Sequence, residues 1–231
     1  MTALPPVLFE DDDLIIVDKP AGVVVHPTYK NPGDTLLDAL PPGSRIVGRL
    51  DRLTSGAVLV AKRADVHAQL QQALAAPEAE KIYLALVRGA ADQRGRIDLP
   101  LGTDPSDRRR RIVTDGGAPS ATAFERLDTG NLDGGIVSLL RCRLLTGRRH
   151  QIRVHLSARG WPVVGDAVYG EPLEGFSRLA LHAWTLTFVH PRSGERVRVS
   201  CTVPAELASL LSRCGLRGDA YAAGAAGAAR R

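Results

Sequence analysis

Hydrophobic positions along this chain fall mostly into short runs broken by tight polar turns. Residues 14–17 (LIIV) and 23–25 (VVV) are two such runs, split by Lys-Pro-Ala-Gly, and predict two strands joined by a turn. Residues 56–61 (GAVLVA) predict a buried strand. Residues 64–75 follow with Val66, Leu70, Ala73 and Leu74 at helical spacing, and Pro77 stops the helix. Residues 81–87 (KIYLALV) are apolar on both faces, as expected of a strand central in a sheet.

From 89 to 119 the chain is polar and rich in Gly and Arg, and predicts a loop or hairpin region. Residues 121–127 and 136–145 predict paired strands around a turn at 129–135. In the second strand Leu140, Cys142 and Leu144 share one face and Arg141 and Arg143 the other, so Cys142 is expected in the core. Residues 149–159 predict a helix ended by Gly160. Residues 179–189 and 195–203 predict an antiparallel pair across a turn at 190–194. Residues 204–212 predict a closing helix with Pro in its first turn. Strands outnumber helices and several are joined by tight turns. The expected fold class is therefore α+β, built on a mixed, mainly antiparallel sheet. One domain over 1–214, in one or two lobes, and a disordered Ala/Gly-rich tail over 215–231 are expected.

Composition narrows the function classes. The 231 residues are 44% hydrophobic and 24% charged, which excludes a disordered chain. Three cysteines without a CxxC spacing exclude a disulfide-stapled mini-protein. No apolar run approaches the roughly 18–20 residues that span a bilayer. The start, MTALPPVLFEDDD, has neither the basic nor the apolar region of a secretory signal, so a cytoplasmic protein is expected. The net charge is +5, and only four of the thirty cations are Lys. An arginine excess suits phosphate contacts and base stacking, and equally suits the codon bias of a GC-rich genome.

Four segments carry candidate chemistry. In Gly48-Arg49-Leu50-Asp51-Arg52-Leu53-Thr54-Ser55-Gly56 a carboxylate stands between two arginines and before two hydroxyls, surroundings that favour an ionised, hydrogen-bonded group. A turn-capping Asp paired with Arg gives the same pattern. In residues 147–156 (GRRHQIRVHL) a helix would set Arg149 and Arg153 one turn apart and offer free N–H groups to an anion; a solvated basic face is the plainer reading. Tyr83 puts a ring and a hydroxyl into an apolar strand, as a core tyrosine or as something more. The run Arg108–Arg111 needs an anionic partner such as RNA phosphate, or simply solvent. His150 and His155 lie five apart, off the i, i+4 spacing of a zinc helix, and no metal site is expected.

Taken in order, the segments EDDDLIIVDKPAGVVVHPT, GRLDRLTSGAVLVAK, KIYLALVRG, GRRHQIRVHLSARGWPVVGDAVYG and RLALHAWTLTFVHPRSGERVRVSCTVP resemble the RluA family of RNA pseudouridine synthases over residues 8–207. The resemblance implies a sheet with flanking helices around a central cleft. It implies an isomerase of uridine in structured rRNA or tRNA, without metal or organic cofactor. Asp51 matches the catalytic aspartate, Tyr83 the tyrosine that packs on the target base, and Arg153 the arginine that pairs with the carboxylate. Arg49 matches the arginine that helps hold the flipped nucleotide. Arg52, Arg109, Arg110, Arg148, Arg149, His150 and Gln151 are the remaining expected RNA contacts. Two positions depart from the family pattern: Gly48 stands where a His is usual, and Arg149 where a small hydroxyl residue is usual. With the pattern starting near residue 8, no S4 RNA-binding module is expected. With no coiled-coil seam or evident apolar patch in the sequence, a monomer is expected.

Two other readings compete. One is an RNA chaperone on the same scaffold with its chemistry lost, motivated by the two departures. The other is a glycosidic-bond hydrolase with paired carboxylates, for which Asp166 or Asp18 would have to be the second acid; Asp166 reads better as a turn residue.

Overall fold

The computed structural model describes residues 3–27 and 33–217. The first strands are β1 (Val7–Glu10), β2 (Leu14–Lys19), β3 (Arg45–Ile46) and β4 (Ser55–Ala61), followed by helix α1 (Ala64–Ala75). Next come β5 (Glu80–Arg88), β6 (Arg94–Asp98), β7 (Leu101–Thr103), β8 (Arg111–Val113), β9 (Ala121–Leu132) and β10 (Gly135–Leu144). Helix α2 (Gln151–Ala158), strands β11 (Leu181–Val189) and β12 (Arg196–Ser200) and helix α3 (Ala205–Arg213) complete the chain. The chain divides into two compact units. Among the described residues, one holds those up to Lys81 together with Ala183–Thr202, the other Ile82–His182 and those from Val203 on.

In the first unit the strand order is β1-β2-β4-β11-β12, with β3 also on β4. The pairs β1–β2, β2–β4, β3–β4 and β11–β12 are antiparallel. Strand period 2 sorts β2 into two cores. Leu14 and Ile16 pack with Leu59, Val66 and Leu70 beneath α1, whereas Ile15 and Val17 pack with Val58, Val60, Leu36 and Ile46 on the other face. Both faces of β2 and β4 are therefore buried, which is why LIIV and GAVLVA read as unbroken apolar runs. Gly56 has no substitute in this arrangement. A Cβ there would stand 2.2 Å from the Ala183 carbonyl oxygen, at a φ of +116°.

In the second unit β5, β10, β9 and β6 follow one another, all antiparallel. Strands β7 and β8 form a separate antiparallel hairpin. The expected turn at 129–135 is much tighter: Leu132 pairs with Gly135, and only Asp133 and Gly134 lie between them, at φ 53° and 84°. Such positive φ values belong to the two-residue turns that match strand twist. Cys142 is fully buried as expected, and burial pushes its thiol up to about 12.

Three expectations are corrected. Residues 23–25 form no strand: the Val23, Val24 and Val25 carbonyls accept from Lys19 Nζ and from the Leu36 and Leu37 N–H groups instead of a ladder. Their apolar run signalled burial, and Val25 is in the core. Helix α2 starts at Gln151, not 149, because His150 takes the left-handed conformation at φ 57° and cannot continue a right-handed helix. Arg149 therefore lies outside the helix and does not share a face with Arg153. At its other end α2 closes as expected on Gly160, with the Gly160 and Trp161 N–H groups on the Ser157 and Leu156 carbonyls. Finally, packing continues past 214: Leu216 is 4% exposed, its N–H on the Leu211 carbonyl. Most of the expected tail, 218–231, lies outside the described residues.

Candidate active site

In the first unit, Asp51 stands half-buried just ahead of β4. Its carbonyl accepts the Thr54 N–H at 3.1 Å, closing a turn through Arg52 and Leu53. This turn is fastened to the Pro20–Gly22 bend from both sides: the Gly22 N–H donates to the Arg52 carbonyl (2.8 Å), and Arg52 Nε donates to the Gly22 carbonyl (3.2 Å). Beneath them lies Lys19, 0% exposed, whose Nζ donates to the carbonyls of Pro20 (2.8 Å), Val23 (2.9 Å) and Arg52 (3.3 Å). One buried ammonium thus joins the bend, the valine run and the Asp51 turn. Sequence reading passed over Lys19 as part of a turn. The signal was its parity: it continues the interior face of Ile15 and Val17. Arg49 is exposed, and burial and then its charge lower the His26 pKa.

In the second unit, Tyr83 is half-buried on β5, in register with Cys142 of β10. Arg153, on the buried side of α2, makes a two-pronged ion pair with Asp166. Nε lies 2.7 Å from Oδ2 and Nη2 2.9 Å from Oδ1. Asp166 is wholly buried; its Oδ1 also accepts the Val168 and Tyr169 N–H groups. Burial alone would raise its pKa, but the Arg153 guanidinium and those N–H groups outweigh it and hold the carboxyl below its ordinary value. Asp166 is a turn residue, as expected, and also the partner of Arg153, which was not expected. A paired-carboxylate hydrolase needs a protonated second acid, and an aspartate held ionised this way does not supply one.

The segment before α2 is built as a scaffold. Gln151, expected to touch RNA, is 2% exposed and fully engaged. Its Oε1 accepts from Thr146 Oγ1 (2.7 Å) and the Arg148 N–H (3.0 Å), and its Nε2 donates to the Ala121 carbonyl (2.9 Å) and Thr122 Oγ1 (3.0 Å). An amide has two acceptor and two donor places, so none is left for a ligand. Thr122 Oγ1 lies 2.9 Å from His155 Nδ1, and His155 Nε2 lies 3.0 Å from the Leu99 carbonyl. A carbonyl only accepts, so Nε2 carries the proton. Arg148 and Arg149 remain exposed. His150 Nδ1 is 2.8 Å from Tyr169 Oη.

The arginine run lies at the end of the β7–β8 hairpin, and its members are unequal. Arg109 is clamped by both oxygens of Asp107, at 2.8 Å each, and Arg110 lies 3.9 Å from Asp104. Arg111 Nη1 bonds Thr103 Oγ1. Arg108, which sequence reading did not single out from the run, is exposed with no ion pair among the described residues. It lines an open cleft of about 520 Å³ with Thr103, Asp104, Pro105 and Arg111. No group of three or more His, Cys, Asp or Glu suited to a metal occurs among the described residues, and no helix there is long and apolar enough to cross a membrane.

The family described as RNA pseudouridylate synthase matches residues 13–158. That span contains Asp51, Tyr83 and Arg153. The chain belongs to this family. The resemblance to RluA-type synthases is borne out. Ribosomal large subunit pseudouridine synthase D of Xanthomonas campestris is 40% identical over 229 residues, covering 89% of this chain and 68% of the relative. The protein of the same name from Nitrosomonas europaea is 40% identical, covering 89% and 64%. An uncharacterized RNA pseudouridine synthase of Chloroflexus aurantiacus is 43% identical, covering 84% and 64%. The chain thus spans about two thirds of the length of these relatives. Among solved structures, human RNA Pseudouridylate Synthase Domain Containing 1 superposes with a TM-score of 0.70 at 32% identity, covering 86% of this chain and 83% of that one. Domain Containing 4 gives 0.72 at 23% identity and shares the fold. The α+β, mainly antiparallel architecture is that of the pseudouridylate synthases.

Proposed function

We propose that this chain isomerises uridine to pseudouridine in large-subunit ribosomal RNA, in the cytoplasm, as a monomer and without metal or organic cofactor. The observation that supports it best is the family match across residues 13–158, with Asp51 kept in a rigid turn. The names of the bacterial relatives point to the ribosomal large subunit.

The reaction breaks the N1–C1′ bond, turns the uracil, joins C5 to C1′, removes the C5 proton and returns a proton to N1. Asp51 is assigned the carboxylate role, at C1′ as nucleophile or on the sugar as base. Tyr83 is assigned the aromatic wall that keeps the detached uracil from drifting, its hydroxyl near the C5 proton. Arg153 is assigned the cation that steadies the Asp51 carboxylate. The target nucleotide must leave its stack at a cost of a few kcal/mol. Phosphate contacts from Arg49, Arg52, Arg108, Arg148 and Arg149 offset that cost.

Loss of the C5 hydrogen gives the assay. Ribosomal RNA carrying [5-³H]uridine is incubated with the protein in EDTA, and tritium release is followed. Wild type should release tritium; Asp51→Ala should release none while binding RNA within about threefold of wild type. Turnover by Asp51→Ala removes Asp51 from the mechanism. Release from transfer RNA but not ribosomal RNA moves the target.

A further inference from the structure

Tyr169 lies outside every role assigned so far, yet three functional segments of the second unit meet on its side chain. Its hydroxyl accepts the backbone N–H of Arg111, at the base of the arginine run, at 2.8 Å. The same oxygen is 2.8 Å from His150 Nδ1, at the left-handed residue that starts α2. Having accepted from Arg111, the hydroxyl has its own proton to donate to a neutral imidazole. The ring carries two cations. The Arg153 guanidinium carbon is 4.9 Å from its centroid and that of Arg110 5.6 Å, both within cation–π range. The His150 ring meets it edge-on at 5.6 Å.

The tyrosine is itself held. Its N–H donates to Asp166 Oδ1 (3.2 Å), and its carbonyl accepts from Ser157 Oγ of α2 (2.7 Å). The Gly170 N–H closes the turn on the Asp166 carbonyl (2.9 Å). The flanking glycines are fixed by crowding: a Cβ on Gly165 would lie 2.3 Å from the Arg178 carbonyl oxygen, and one on Gly170 would lie 2.7 Å from Pro162. Tyr169 is thus a fixed post, with the arginine hairpin on its hydroxyl and Arg153 on its ring.

We infer that Tyr169 is a positioning residue with two separable tasks: its hydroxyl fastens the RNA-gripping hairpin, and its ring holds the Arg153 guanidinium at its working angle. The inference rests on the synthase reading. If the hydroxyl acts on the hairpin, removing it weakens RNA capture without slowing the chemical step. If the ring acts on Arg153, removing it slows the chemical step as well.

The two substitutions are Tyr169→Phe, which keeps the ring, and Tyr169→Leu, which removes it. Tyr169→Phe should raise KM for the RNA about fivefold to tenfold, the worth of one or two hydrogen bonds, with kcat within twofold. Tyr169→Leu should show the same KM change and a kcat at least tenfold lower. Two measurements need no turnover. Trypsin should cut after residues 108–111 about tenfold faster in both variants than in wild type. The Arg153 Nε–H proton resonance, displaced by the ring current, should stay put in Tyr169→Phe and shift in Tyr169→Leu. Wild-type trypsin rates and KM in Tyr169→Phe overturn the hydroxyl task. Equal kcat and equal Arg153 resonances in the two variants overturn the ring task. A wild-type protein that isomerises no RNA overturns the synthase reading instead, and the protease and resonance arms still decide whether Tyr169 holds both segments. Should Tyr169→Leu not fold, Tyr169→Met removes the ring and puts a longer, more adaptable side chain in its place.

Discussion

Arg153 and Asp166 lie in a fork-to-fork ion pair, with side-chain exposures of 7% and 0%. The Arg153 guanidinium is therefore aimed by a carboxylate from a loop thirteen residues away. Geometry of this kind adds direction as well as attraction.

Removing one member of such a pair leaves the other charge buried without its counter-ion. Asp166→Asn should cost roughly 3–5 kcal/mol, read by urea denaturation at pH 7. Because the folded-state pKa of Asp166 is lowered, its contribution is present above the unfolded value near 3.8 and is lost as pH falls through the lower folded value. The gap between wild type and Asp166→Asn should therefore close as pH drops below about 4. A gap that persists unchanged at pH 2.5 contradicts this assignment.

Lys19→Met keeps the volume of the buried side chain but removes the donor shared by Pro20, Val23 and Arg52. Stability should fall by about 2 kcal/mol, the range of hydrogen bonds to a charged group. If those bonds also keep the Asp51 turn in place, kcat should fall at least tenfold with KM for RNA within twofold. Steady-state tritium release checks the split; equal changes in both constants would show that the bend matters to RNA capture rather than to Asp51.

The arginines of the hairpin should not contribute equally to RNA binding. The Asp107 carboxyl is held down to about 2 by hydrogen bonds from the Arg109 side chain and backbone N–H, so the pair stays ionised at any working pH and competes with phosphate for Arg109. Arg108→Ala should lower the slope of log K against log salt by about one phosphate contact. Arg109→Ala should change it by less than half as much. Filter binding across 50–300 mM salt measures both, and a larger effect at Arg109 would reverse the ranking.

Gly56→Ala places a methyl against the Ala183 carbonyl and forces an L side chain to φ +116°. Crowding and backbone conformation together should cost about 2–4 kcal/mol. Gly116→Ala is the control, at φ +78° with nothing within 4 Å, and should cost about 1 kcal/mol from conformation alone. Denaturation midpoints compare the two, and equal losses would mean that crowding at Gly56 is relieved by small shifts.

The parts of the fold that sequence made legible are those fixed by near neighbours. Helix α1 runs over the expected 64–75, because its apolar spacing and Pro77 are local signals. Strand β2 and the Gly160 stop of α2 are legible for the same reason. Residues 23–25 misled, since an apolar run records burial and not the partner of each carbonyl. The start of α2 misled because nothing near His150 in the sequence announces a left-handed residue; its anchors, Tyr169 and the Gln151 amide network, come from 19 to 30 positions away. Motif order singled out Asp51, Tyr83 and Arg153. Lys19, Tyr169 and the pairing of Asp166 with Arg153 were missed because their importance lies in which distant atoms they touch.

Strand order in the first unit has a consequence for synthesis. Strand β4 acquires its β11 neighbour only after about 120 further residues, from Ala61 to Ala183, have left the ribosome. At 5–20 residues per second that is a wait of roughly 6–24 s. Meanwhile the Gly56 end of an uncharged strand has an open edge that a nearby nascent chain can pair with. Slow translation lengthens this window, and a chaperone that caps the edge shortens it.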